Sequence, residues 1–577
     1  MKWIATIATG LLLLLSFTAD AQVNWLTVSK AEYDSAAQSL VLLHNDQQRV
    51  PLRRLDTLRI AVVSPGFTAF NHQLAAYAPA QFFPTLSEVP PNTFNLLLYL
   101  STTSAAPASD QPQLLAWNAR QQLLYLTFEE APDTSRAPQS YSAHIHAPAA
   151  TPLHQALAAQ LLFGGIGAKS GQRLAYGPPA LVGMNAQLLQ DSIAALLQMG
   201  IDSGAFPGAQ VLVAKAGKVI FHQAYGHHTY ARQRPLRPDD LYDLASVSKI
   251  TTGLPILMQL YGQGRFDLDA PLQQYLPAFR RSNKARLRFR DMLAHQARLR
   301  PWIPYWQHTL KKNGRFKWRT FKRDSSAHYP IRITDQLYLH HQYKKKIYKA
   351  IRRSKLNKEA GYRYSGLLFY LLPEITERLT GQPMERYLRT QFYDRLGAAT
   401  LCFRPYRYFP RERMVPTEYD SLFRKQLIQG SVHDEGAAMM DGLSCNAGLF
   451  TTANDLAKLM QLYLNGGSYG GEVYMAPEAV EEFTRCQFCD QGNRRGLGFD
   501  KPLVEYHPQR SSTARAASGR SYGHSGFTGT FVWVDPEEEL IYIFLSNRVH
   551  PSRDRRKIYQ LNIRPRIHQI LYDAIEK

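Results

Sequence analysis

From Val182 onward, segments with strand character lie at the two ends of the chain and helical segments lie between them. Gln210-Val211-Leu212-Val213-Ala214 and Val219-Ile220-Phe221 are short apolar runs on either side of Ala216-Gly217-Lys218, a hairpin pattern. The same texture returns at Thr530–Val534 and Leu540–Leu545, joined by the turn-forming Asp535-Pro536-Glu537. A last helical stretch covers Ile563–Ile575, and the region from Ser246 to about Leu464 reads as mainly helical. Strands split in this way predict one sheet completed from both ends of the segment, since each apolar face must be buried against another element. The helical block then forms a second lobe, with a cleft between lobe and sheet.

Ahead of this region, residues 31–175 read as a small α/β unit. Ile60-Ala61-Val62-Val63, Phe94–Leu100 and Leu123–Leu126 are continuous apolar runs suited to buried strands, and Leu153–Phe163 has helical spacing. Pro/Ser/Ala-rich loops are expected over 102–112 and 131–148, and the breaker-rich stretch 171–179 is expected to be a linker. A length of 577 residues accommodates two such units, since single cores rarely exceed about 250–300 residues. The first 21 residues have the form of a secretory signal: Lys2, an apolar stretch from Ile4 to Phe17, then Ala19-Asp20-Ala21 before Gln22. The apolar stretch is shorter than the roughly 18–20 residues that span a bilayer. The expectation is a periplasmic or secreted protein with no membrane span after cleavage.

The formal net charge is +22, and its position matters more than its size. Between Phe279 and Lys358 there are 24 Lys and Arg against 3 Asp and Glu, so this stretch carries nearly the whole imbalance. It holds Lys344-Lys345-Lys346 and Arg352-Arg353, interleaved with Trp302, Trp306, Trp318, Tyr338 and Tyr343. Basic runs with aromatic neighbours suit nucleic acid, but an exported chain rarely meets it. A solvated face and attraction of an anionic envelope polymer are the two readings retained, with no nucleic-acid partner. Of four cysteines, Cys486 and Cys489 form a lone C-x-x-C without a second pair, which reads as buried thiols or a local disulfide.

Three short segments carry candidate chemistry. In Ser246-Val247-Ser248-Lys249, residues three apart share a helix face, which brings the ammonium within reach of the hydroxyl. A serine becomes a nucleophile only when a neighbour takes its proton. Tyr364-Ser365 follows Gly361, and a tyrosine set between cationic groups can act as a general base. Gly523-His524-Ser525-Gly526 precedes the strand at Thr530–Val534. A glycine at a strand edge admits a substrate backbone, and a nearby N–H can meet a developing oxyanion.

In this order, the three segments resemble the serine beta-lactamase and penicillin-binding protein superfamily, whose signature is S-x-x-K, Y-x-N, then K-T-G or H-x-G. Phe206-Pro207-Gly208-Ala209, Asp243-Leu244-Ala245-Ser246, Phe266-Asp267-Leu268-Asp269, Leu293-Ala294-His295-Gln296, Ala447-Gly448-Leu449-Phe450 and Gly526-Phe527-Thr528-Gly529 look like its class C-type branch. That branch includes esterases and D-amino-acid peptidases. The resemblance covers 182–577. It implies Ser246 as nucleophile, Lys249 and Tyr364 as proton carriers, and His524, Gly526 and Phe527 at the substrate, with no metal or other cofactor. It also implies a small-molecule or peptidoglycan-derived substrate. Three positions depart from the pattern: Gly366 stands at the usual asparagine, Ser444-Cys445-Asn446 at a frequent Gly-His pair, and Arg298 at a usual glycine.

Ser39-Leu40-Val41-Leu42-Leu43-His44-Asn45 followed by Val50-Pro51-Leu52 resembles the start of the C-terminal α/β domain of glycoside hydrolase family 3. The expected architecture is therefore α/β and α+β. A small α/β sandwich, non-catalytic, occupies 22–175, and a beta-lactamase/transpeptidase-like domain with antiparallel sheet and helical lobe occupies 182–577. The expected activity is serine hydrolysis of an ester or D-amino-acid amide of the envelope through an acyl-enzyme. The alternatives are a binding protein that kept the fold and lost the chemistry, or the remnant of a glycosidase–serine hydrolase fusion.

Overall fold

The computed structural model describes residues 22–130, 141–167 and 173–576. The expected signal over 1–21 lies outside them, as do residues 131–140 of the loop expected over 131–148. Residues 171–172 of the expected linker lie outside them too.

The first unit is built on six strands: β1 (Val41–Asn45), β2 (Ile60–Val63), β3 (Ala80–Phe83), β4 (Leu96–Ser101), β5 (Leu123–Phe128) and β6 (Ala143–Ala147). Their order is β1-β6-β5-β4-β2-β3. All neighbours run parallel except β1, which is antiparallel to β6. The uninterrupted leucines of β4 follow from burial of both sheet faces. Leu96, Leu98 and Leu100 pack with residues of the helices Thr68–Ala75 and Pro152–Phe163, while Leu97 and Tyr99 pack with Leu114 and Trp117 of the helix Gln111–Ala119. This is the three-layered α/β sandwich that the apolar runs predict.

The second sheet comprises β7 (Ala175–Tyr176), β8 (Gly208–Lys215), β9 (Lys218–Gly226), β10 (Tyr522–Ser525), β11 (Phe531–Asp535) and β12 (Leu540–Ser546). Its order is β10-β11-β12-β8-β9-β7. The C-terminal β12 pairs antiparallel with the N-terminal β8 from Leu540↔Lys215 to Ser546↔Ala209, so both ends of the segment complete one sheet. The β8–β9 hairpin turns through Ala216 and Gly217, both at positive φ, as a two-residue turn matched to strand twist requires. One face of the sheet packs with the helices Ala186–Asp202 and Ile563–Asp573. The other meets the helix Ala453–Leu464.

Three expectations need correction. The stretch expected as a linker contains β7, which runs parallel to β9 as the edge of the second sheet. The middle region is less helical than its pattern suggests: it holds small sheets formed by 321–322, 331–334 and 337–339, by 402–403 with 449–451, and by 419–420 with 426–427. Finally, the loop expected over 131–148 contains the buried strand β6, whereas β10 lies at the edge of its sheet, the strand edge where the sequence places Gly523.

The two units share one apolar cluster. Tyr77 of the first unit stacks on Phe163 at 4.8 Å, and its hydroxyl donates to the Leu174 carbonyl. The buried Arg173 guanidinium donates to the carbonyls of Leu52 and Phe163. From the second unit, Asn454 donates to the Ala76 carbonyl, and the buried Lys458 ammonium donates to the carbonyls of Tyr77 and Gly397. Buried backbone acceptors are thus met by buried cations and amides, which makes the contact specific rather than merely greasy.

Candidate active site

The Ser246-to-Lys249 segment follows a two-residue strand, Tyr242–Asp243, and begins with Ala245 at φ +46, a left-handed angle that costs a non-glycine residue roughly 1 kcal/mol. Local bonds hold it there. The Asp243 carboxylate accepts the Ala245 N–H at 2.8 Å and the His433 N–H at 2.6 Å, and Leu244 N–H donates to the Leu449 carbonyl. The turn leaves Ser246 partly exposed. One turn later Lys249 is 2 % exposed, and its ammonium donates to Ser246 Oγ at 2.9 Å and to the Asn446 carbonyl at 2.9 Å. The spacing of three residues therefore delivers the serine–lysine contact it predicts.

Tyr364 is brought to the same place. Its ring lies 5.3 Å from Lys249 Nζ and 5.2 Å from the Arg495 guanidinium, so two cations flank it. Its hydroxyl is buried and has no hydrogen-bond partner among the described residues. His295 positions this tyrosine three times over. Its carbonyl accepts the Arg363 N–H, its Nδ1 accepts the Ser365 N–H at 3.2 Å, and its ring meets the Tyr364 ring at 4.5 Å.

His524 sits on β10, 6.0 Å from the Tyr364 ring. Its Nδ1 contacts the Ser525 carbonyl at 2.8 Å, which assigns the proton to Nδ1 and leaves Nε2 as a buried, unpartnered acceptor. Burial, then Arg495 and Lys249, push the pKa of His524 well below the usual histidine range. The ring is thus neutral, and the positive charge on this side of the site belongs to Arg495. That residue is 6 % exposed, its Nε pairs with Asp500 Oδ1 at 3.4 Å, and its Nη1 has no hydrogen-bond partner among the described residues. Gly526 acts through its missing side chain: a Cβ there would lie 2.0 Å from Thr530 Oγ1 and 2.5 Å from the Leu244 carbonyl. Its own N–H donates to the Thr530 carbonyl, and the hydroxyls of Thr528 and Thr530 donate to the carbonyls of Asp243 and Leu244. These bonds lock the turn that carries Phe527 against the strand leading to Ser246. Phe527 itself is half-exposed, with the Arg548 guanidinium 4.5 Å from its ring.

The three departures from the family pattern have visible consequences. Arg298 adopts φ +60, the left-handed angle a glycine would take, and its side chain donates to the carbonyls of Asn357 and Lys358. Asn446 supplies the carbonyl that anchors Lys249, and its side chain is held by Ser444 and Tyr370. At Gly366 a Cβ would meet only the Asn446 Cβ, at an ordinary 3.8 Å, and φ is not in the left-handed region. Nothing steric excludes an asparagine there. Cys486 and Cys489 are joined in a disulfide, the second of the two readings of that pair.

Sequence reasoning did not assign roles to Arg495, His295 or Asn446. Arg495 lies in a short run of basic and polar residues that resembles any exposed loop, and Asn446 works through its backbone.

A sheet closed by both chain ends, a helical lobe, and a buried lysine on the nucleophile candidate define a beta-lactamase-type fold. The beta-lactamase family model matches residues 190–564, and the chain belongs to this family. Among curated relatives, an Escherichia coli (strain K12) protein named "Putative D-alanyl-D-alanine carboxypeptidase" is 29% identical over 413 residues, covering 67% of this chain and 88% of that protein. A Bacillus subtilis (strain 168) "N-acetylmuramyl-L-alanine amidase" is 30% identical over 386 residues, covering 62% and 80%. Among solved structures, "EstCE1, a hydrolase with promiscuous acyltransferase activity" is 18% identical with a TM-score of 0.49, covering 66% of this chain and 99% of that one. No helix among the described residues is long and apolar enough to cross a membrane.

The depressed pKa of buried His295 and His524 gives a stability prediction, with the same causes operating at both. Each is neutral in the folded protein and takes up a proton on unfolding below pH about 6.5, so stability falls as pH drops below that value. Each group contributes about 1.4 kcal/mol per pH unit. Urea midpoints at pH 7.5 and 5.5 should show a marked loss in acid, reduced in His524→Gln. A midpoint unchanged between the two pH values would contradict the assignment.

Proposed function

We propose that the protein is an exported serine hydrolase that cleaves an ester or a D-amino-acid amide of the cell envelope through an acyl-enzyme. The observation that carries this reading is the 2.9 Å contact between the buried Lys249 ammonium and Ser246 Oγ. In this reading Lys249, reacting as the free amine, takes the Ser246 Oγ proton as that oxygen attacks the carbonyl carbon, and Tyr364 relays the proton to the leaving group as its bond to the carbonyl carbon breaks. The N–H groups of Ser246 and Phe527 receive the oxyanion, and water, activated by the same pair, releases the acyl group. His524 Nε2 accepts a hydrogen bond from the substrate, and Arg495 supplies positive charge for a substrate carboxylate.

The named relatives support an alanine-containing amide as substrate class: one name specifies a D-alanyl-D-alanine terminus, the other an N-acetylmuramyl-L-alanine bond. We also read residues 22–175 as a non-catalytic module of the glycoside hydrolase family 3 C-terminal type. The exposed Lys344, Lys345 and Lys346 offer a face to an anionic envelope polymer.

The test is turnover of a panel of small esters and D-alanyl-D-alanine peptides by the native enzyme and by Lys249→Met. Removing the proton carrier should lower kcat by about 10²–10⁴ with KM little changed. Turnover of neither substrate class by the native protein would favour a binding role. Gly366→Asn forms a second test, since the pattern's asparagine would restore a hydrogen bond to the substrate amide. One such bond is worth about 1 kcal/mol, so kcat/KM on amides should rise about fivefold, with esters less affected. A fall on both classes would show that the site is built around glycine.

A further inference from the structure

Outside the active site, His328, His340 and His341 converge although they stand twelve and thirteen positions apart in sequence. The backbone brings them together. The strand Phe321–Lys322 pairs with Leu337–Leu339, which also pairs with Ile331–Thr334. His328 occupies the turn between two of these strands, closed by paired bonds between Ser326 and Tyr329, and His340-His341 follow the third. The His341 N–H donates to the His328 carbonyl at 3.0 Å, which fixes the two histidine-bearing segments to each other. One ring nitrogen from each histidine lies within 4.8 Å of those of the other two.

We propose that His328, His340 and His341 form a binding site for Zn2+ or a similar divalent transition-metal ion, with the fourth position open to water. Imidazole is the side-chain ligand best suited to such ions. At a Zn–N distance of about 2.0–2.1 Å, tetrahedral ligand atoms sit about 3.4 Å apart, so the rings must draw together by roughly 1.4 Å at most to close on the ion. His328 and His341 are exposed and His340 is half-buried, so the ion has access and the rings have room to turn. Tyr329 packs edge-on against the His340 ring at 5.1 Å and backs the site on one side. The Lys346 ammonium, which acts electrostatically on His340, opposes a cation there.

A metal there would join the turn at His328 to the residues leading into the helix Tyr343–Arg353, and so brace the most basic part of the lobe. The experiment is equilibrium dialysis of the full-length protein against Zn2+ alone, with the native chain, His341→Ala, and a variant carrying His328→Ala, His340→Ala and His341→Ala. The native protein should bind one Zn2+ that the triple variant lacks, and His341→Ala should weaken binding at least tenfold. Co2+ in place of Zn2+ should give the visible absorption of a low-coordinate, nitrogen-ligated ion in the native protein only. No Zn2+ uptake by the native chain, or equal uptake by the triple variant, would overturn the site. Because two of the histidines are exposed, His341→Ala keeps the test valid even if the triple variant folds poorly.

Discussion

The structure depends on how one buried ammonium is satisfied. Taking a lysine out of water costs several kcal/mol unless its donors find acceptors. Lys249 meets this with Ser246 Oγ and the Asn446 carbonyl, and it lies 5.3 Å from the rings of both Tyr364 and Phe369. The partners come from chain segments as much as 197 residues away, so the lobe must close before the lysine can be buried. The same requirement accounts for the strained Ala245 and for the threonine hydroxyls that tie the Gly526–Thr530 turn to Asp243 and Leu244. Each fixes the serine relative to the lysine. Remove the burial, and nothing would hold the serine–lysine contact in place.

The helix Ala453–Leu464 links this arrangement to the rest of the molecule. At its start, Asn454 and Lys458 bind backbone carbonyls of the first unit. Near its end, the Tyr463 hydroxyl donates to the Ile250 carbonyl, one residue beyond Lys249. Between them its apolar residues pack against the central sheet. The first unit is therefore bound through one helix to the backbone of the segment that carries Ser246 and Lys249.

Where the sequence is readable, the reason is burial on a fixed period. The continuous leucines of β4 and β5 and the apolar runs of β8, β11 and β12 announce strands because each is enclosed on both faces. Ser246, Lys249, Tyr364 and His524 are found through motif and order, and the fold brings all four together. The unreadable parts lack such a signal. β10 is Tyr-Gly-His-Ser, too polar and short to show a period, and β7 is two residues long. Asn446 acts through a carbonyl that every residue possesses. Arg495 is buried by partners, Tyr362, Tyr364 and Asp500, of which only the last is near it in sequence. His295 carries a family-like segment in sequence, but its grip on Tyr364 exists only in three dimensions.

The central claim is that Ser246 is the activated nucleophile, and covalent mapping tests it most directly. The native protein should be treated with a fluorophosphonate, digested, and analysed by mass spectrometry. The account predicts a single adduct on the peptide containing Ser246, absent from Ser246→Ala. An adduct that persists in Ser246→Ala, or a native protein that takes up no probe, would contradict it.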